Sequence, residues 1–212
     1  MSFVVALLGA ESTGKTTLAH SLAQTLVAEG RSVALVGECL REFCEGHGRT
    51  PREDEQIGIA DEQTRRIELA ARDHDIVIAD TTALMIAVYS EIVFGDKSLY
   101  ARAEAAHREG CDLTLLTALD LPWQADGLQR DGSHVRESVD ALVRAALLRA
   151  QVPWSVVFGT GSARSDAALA SVRRALAPPD GNEDTRNARW HWHCERCGDA
   201  GCERHRLPQA PR

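Results

Sequence analysis

Residues 3–18 read FVVALLGAESTGKTTL. Phe3 to Gly9 is a continuous β-rich apolar run, as expected of a strand covered on both faces. The next eight positions, Gly9-Ala-Glu-Ser-Thr-Gly14-Lys15-Thr16, match G-x-x-x-x-G-K-[ST] without deviation. They lie where that motif works, directly after a strand and at the opening of a helix. The glycines let the backbone wrap a phosphate, and the amides of residues 12–16 point inward at the helix N-terminus. Lys15 is expected to reach the β- and γ-phosphates and Thr16 to ligate magnesium. Gly9, Glu11, Ser12, Thr13, Gly14, Lys15, Thr16 and Thr17 are the candidate nucleotide-binding residues, with ATP and Mg2+ as cofactors.

Working outward, Leu18, Leu22 and Leu26 recur at four-residue spacing and Gly30 stops the helix. Residues 32–38 read as a second strand, and 53–73 as a helix with Ile57, Ala60, Thr64, Ile67 and Ala71 on one face. Residues 75–80, 111–118 and 154–159 complete five strands. Helical patterns over 82–93 and 97–109, around Val139 to Leu147, and over 163–177 separate or follow them. Nearly uniformly apolar strands alternating with helices define an α/β fold: a doubly wound, mostly parallel five-stranded sheet of the P-loop, nucleoside-kinase-like kind. The domain is expected over 1–177. Residues 178–189, with Pro-Pro, Gly and Asn, read as a linker, and 190–212 as a short Cys/His-rich tail.

At 212 residues and 44% hydrophobic, the chain suffices for one domain with a real core, burying roughly 70% of its extended surface. The net charge of −7 argues against nucleic acid or an anionic membrane as main partner. No apolar run approaches the ~20 residues of a membrane span, and the N-terminus lacks a signal peptide's positive region. Six cysteines without an export signal are expected as thiols or metal ligands in a cytoplasmic protein. Cys39, Cys44 and Cys111 read as buried thiols.

Asp80 ends the third strand, the usual position of the acid that shares the magnesium. Glu38 is expected to end the second. In doubly wound sheets the carboxyl ends of the strands line the ligand crevice, so Glu38, Asp80 and the phosphate loop should converge there. A carboxylate facing an acceptor hydroxyl can position it and take its proton. Either Glu38 or Asp80 fills that role, with Arg41 close behind Glu38. The alternative is a helix-capping Glu38 with a solvated arginine.

PWQADGLQR, residues 122–130, places an aromatic, a carboxylate, a glycine and a guanidinium in one short loop. Either Trp123 covers the core beside the fourth strand, or the loop is an active-site lid. As a lid it brings Arg130 and Arg136 over the transferring phosphate, whose charge is spread over three oxygens. Trp123 would then stack on a heteroaromatic ring, with Asp126 accepting hydrogen bonds from a ribose or amide.

The run GAESTGKTTL, then GECLREFC, IADTT and LPWQADGLQRDG, in this order, resembles the ribosylnicotinamide kinase domain of NadR-type bacterial NAD-biosynthesis regulators. The resemblance covers roughly residues 3–177. It implies phosphorylation of the 5′-hydroxyl of nicotinamide riboside by ATP to give NMN. The phosphate loop would hold ATP, Trp123 and Asp126 would lie near the nucleoside, and the lid arginines at the γ-phosphate. Two positions depart from the family pattern. Gln129 separates Arg130 from the D-G-L run, which leaves open which arginine reaches the phosphate, and Cys39 stands where an aromatic is expected. With the first strand starting at Phe3, repressor and adenylyltransferase activities are not expected.

Cys194-x-x-Cys197-x4-Cys202-x-x-His205 offers four soft ligands at spacings that suit a tetrahedral structural zinc. So short a segment has no apolar core, so metal would be its main source of order. The alternative is a disordered tail. A homo-oligomer contact or a protein partner through this tail stays open. Three functions compete: a small-molecule kinase, a regulatory ATPase coupled to a protein partner, and a nucleotide-binding module without catalysis. The intact Lys15, Thr16 and Asp80 disfavour the third.

Overall fold

Five strands, β1 (Phe3–Leu8), β2 (Val33–Val36), β3 (Ile76–Asp80), β4 (Leu113–Thr117) and β5 (Trp154–Val157), form one sheet in the order β2-β3-β1-β4-β5. Every pairing is parallel. This is a computed structural model, and it describes residues 2–123 and 135–177. Seven helices connect or follow the strands within that range: α1 (Lys15–Ala28), α2 (Cys39–His47), α3 (Glu53–Asp73), α4 (Ala83–Phe94), α5 (Tyr100–Gly110), α6 (Arg136–Ala150) and α7 (Gly161–Leu176). Met1–Leu176 forms one compact unit.

Both sheet faces are covered over the central strands β3, β1 and β4, which explains their nearly unbroken apolar runs. Side chains alternate across a strand, so Val5 and Leu7 of β1 join Ile76, Ile78 and Leu115 against α1 and α7. Leu22 and Leu26 of α1 are 1% exposed there, each burial contributing about 2 kcal/mol. Leu8 and Leu116 point the other way, into a cluster with the apolar sides of α4 and α6. Ala83 to Val88 of α4 are all buried, so this helix is an internal element, apolar all round.

Two differences from the sequence-based expectation bear on the site. Glu38 lies beyond β2, as the N-cap residue of α2, a helix the sequence pattern did not reveal. On α3 the inner stripe is Gln56, Ile59, Ala60, Gln63 and Ile67, whereas Ile57, expected inside, is 46% exposed. The helix is rotated so that Gln56 and Gln63 face inward beside Ile59 and Ile67, while Ile57 is turned out. Cys39 and Cys44 are buried and Cys111 is half-buried, none of the three in a disulfide. Among the described residues, no helix is long and apolar enough to cross a membrane.

Candidate active site

The loop from Gly9 to Gly14 leaves β1 and feeds α1. Gly9 takes φ +144°, and a Cβ there would lie 2.1 Å from the Thr117 hydroxyl oxygen and 3.0 Å from its carbonyl. Only glycine fits against the end of β4. Gly14 caps α1 at φ 76°, and Ser12, at φ 56°, shares the left-handed region. Thr13 ties the loop down, its hydroxyl donating to the Ala10 carbonyl at 2.7 Å and pairing with the Thr117 hydroxyl, also at 2.7 Å. Thr117 in turn donates to the Leu8 carbonyl at 3.1 Å.

Lys15 folds back over the loop, its Nζ donating to the carbonyls of Gly9 at 2.8 Å and Ala10 at 2.9 Å. It is 7% exposed. Burial lowers its pKa, while the charges of Glu38, Asp80 and Glu11 work in the opposite sense. Thr16 Oγ1 donates to Asp80 Oδ2 at 2.5 Å. The other Asp80 oxygen is buried with no hydrogen-bond partner among the described residues. A hydroxyl and a carboxylate side by side, one oxygen still unsatisfied, form a donor set that suits a magnesium ion.

Glu38 and Asp80 arrive at the same edge of the sheet, as the sequence implied. The Glu38 side chain is 8% exposed and pairs with Arg41 at 3.2 Å. It makes no cap hydrogen bond to α2, so helix capping is not its role. Burial raises its pKa, against the lowering charges of Lys15 and Arg41. Arg41 Nη1 also lies 3.5 Å from Thr16 Oγ1, so one guanidinium bridges Glu38 and the threonine. The charges felt by Lys15 are three carboxylates, Glu11, Glu38 and Asp80, and one further cation, Arg41. A triphosphate adds more negative charge than these cations balance. Glu11 Oε2 is buried with no hydrogen-bond partner among the described residues.

Arg136 opens α6, 7% exposed, and donates through Nη1 to the Leu121 carbonyl at 3.0 Å. Among the described residues its Nε and Nη2, like the Trp123 indole nitrogen, are buried without a hydrogen-bond partner. Leu121 lies over the loop, its Cδ1 3.0 Å from where a Gly14 Cβ would sit. Asp126 and Arg130 fall outside the described residues, as do Cys194, Cys197, Cys202 and His205.

Two contributors escaped the sequence reading. Arg164 of α7, 5% exposed, donates to the Thr13 carbonyl at 2.8 Å, and to the Gly159 carbonyl and Asp120 Oδ1 at 2.9 Å each. Asp120 also accepts from the Gly159 amide. Gln63, from the middle of α3, joins the residues flanking Glu38 to the one after Asp80. Neither position carries a local signal, because the partners that tie Arg164 to the loop, Asp120 and Thr13, and all three partners of Gln63 are distant in sequence.

Fold and loop together define a P-loop nucleotide-binding domain of the α/β class. The chain belongs to the AAA domain family, which it matches over residues 4–164. No curated protein sequence matches it. Among solved structures, NadR protein in complex with NAD and AMP-PNP superposes at a TM-score of 0.64 with 20% identity, over 82% of this chain and 49% of that one. NadR protein in complex with NR gives 0.66 and 20%, over 84% and 51%. The chain thus shares the fold of these proteins and spans about half their length.

Proposed function

We propose that the chain is an ATP-dependent kinase of a small nucleoside, with nicotinamide riboside as acceptor and NMN as product. The observation that carries this reading is the buried Glu38 carboxylate, which is held by Arg41 beside the phosphate-binding Lys15 and makes no structural cap. Glu38 orients the acceptor 5′-hydroxyl and takes its proton. Asp80, already bonded to Thr16, would hold a magnesium ion together with it, and that ion when bound would supply neutralisation of phosphate charge. Lys15 leaves the Gly9 and Ala10 carbonyls for those phosphates. Arg136, whose Nε and Nη2 have no hydrogen-bond partner among the described residues, and Arg130 supply the remaining positive charge. Trp123 and Asp126 hold the nucleoside. The acceptor assignment draws on the order of motifs along the chain and on the NadR fold in complex with NR.

The test is ADP release by the full chain with Mg-ATP, with and without nicotinamide riboside, beside a panel of ordinary nucleosides, with NMN identified by mass. Stimulation by nicotinamide riboside alone supports the reading. Steady basal hydrolysis without stimulation by any nucleoside sinks it. A second reading, an ATPase coupled to a protein partner, is favoured by membership of the AAA domain family and would gain from that second outcome. Lys15→Ala should abolish turnover under either.

A further inference from the structure

The inner face of α3 holds a polar residue where packing needs none. Ile59, Ala60 and Ile67 already cover that side of the sheet, yet Gln63 is fully buried among them. A buried amide is costly unless bonded, and this one is fully used. Its Oε1 accepts from the Cys39 amide at 2.8 Å, and its Nε2 donates to the carbonyls of Gly37 at 3.1 Å and Thr81 at 3.4 Å. Only this orientation of the amide satisfies all three, since a flip would set donor on donor and acceptor on acceptor.

Gly37 and Cys39 are the two neighbours of Glu38, and Thr81 directly follows Asp80. Thr81 is a β-branched residue at φ 75°, a conformation that persists only where its surroundings hold it. Its amide donates to the Leu7 carbonyl at 3.1 Å and its carbonyl accepts from Gln63, so both its backbone polar groups are tied. One side chain therefore brackets the first carboxylate on both sides and clamps the turn behind the second.

We propose that Gln63 is the positioning residue that sets the separation of Glu38 and Asp80, and with it the approach of the acceptor oxygen to the phosphate. The proposal rests on the kinase reading above. Gln63 touches neither substrate; it acts through the backbone that carries the two carboxylates. It also explains the rotation of α3 that turns Ile57 outward.

The comparison is between wild type and Gln63→Met, which keeps length and apolar packing but loses all three bonds. Initial rates of ADP formation with Mg-ATP and nicotinamide riboside, at a temperature well below both melting transitions, give kcat and both KM values. Misplacement by an ångström is expected to lower kcat roughly 100-fold, a larger effect than any rise in KM for Mg-ATP, because the phosphate loop keeps its own hydrogen bonds while only the Asp80 side of the magnesium set shifts. Should the methionine variant not fold, Gln63→Glu serves the same comparison, keeping the acceptor for Cys39 and setting an oxygen against the other two carbonyls. A lowered melting temperature with unchanged kcat would make Gln63 merely structural and overturn the proposal. If wild type shows no acceptor-stimulated turnover, the kinase reading fails by itself. Gln63 is then judged on basal ATP hydrolysis, whose attacking water meets the same carboxylates: a comparable fall in kcat supports the positioning role, and an unchanged kcat overturns it.

Discussion

His107 gives the protein a defined weakness to acid. Its ring is 2% exposed, between the Thr82 hydroxyl at 3.1 Å and the Thr114 hydroxyl at 2.9 Å. No charge compensates it, and burial alone pushes its pKa down from 6.5 to about 4. The unfolded chain therefore takes up a proton near pH 6.5, while the folded one refuses it until about pH 4. Stability from this group is complete above pH 6.5 and is lost as pH falls towards 4. The interval of about 2.5 pH units corresponds to about 3 kcal/mol, a large share of the 5–15 kcal/mol typical of a domain. Urea unfolding at steps between pH 7 and pH 4.5 should show it as a midpoint falling by roughly 1–2 M more in wild type than in His107→Gln. The variant starts lower, having lost the ring's packing, but its curve against pH is flatter, and the difference between the two curves isolates this ring from the carboxylates. Parallel curves, or a native His107 that titrates near 6.5 by NMR, would refute the reasoning.

Three further outcomes are expected. Gly9→Ala forces a methyl into the Thr117 hydroxyl at a φ that side chains rarely adopt, so Mg-ATP binding by calorimetry should be lost while the far-UV circular dichroism spectrum remains. Trp123→Ala should raise KM for the acceptor and leave ATP affinity intact; reduced thermal stability with unchanged acceptor KM would assign the indole to packing instead. The full chain purified without chelator should carry about one zinc per molecule by elemental analysis, falling on Cys194→Ser with Cys197→Ser; absence of zinc from the wild type would dismiss the tail as a metal module.

The phosphate loop was legible because its chemistry demands fixed residue types at fixed spacing. Gly9, Gly14, Lys15 and Thr16 fulfil it within eight positions, and Asp80 follows from the end of an apolar strand. The sheet was legible too, since strands buried on both faces cannot alternate. α2 was not: nine residues with Gly46 near their end hold too short a stripe to show a period, and Glu38 therefore read as the end of a strand. The rotation of α3 was hidden for another reason. Hydrophobicity favours Ile57 inside, but pairing Gln63 with backbone 18 to 26 residues away decides the matter, and such pairing leaves no local trace. Glu38 was identifiable as a candidate, yet only its lack of a capping bond separates it from the capping alternative.

The clasp of Arg164 on Thr13 spans 151 residues. During synthesis the phosphate loop therefore leaves the ribosome well ahead of the guanidinium that fastens its carbonyl. A nascent chain can pair β1 with β3 and β4 long before α7 exists, but its nucleotide loop stays without this anchor until that helix docks. A loop made early thus becomes competent only when a helix made late has docked, and a partly made domain has little means of sequestering ATP.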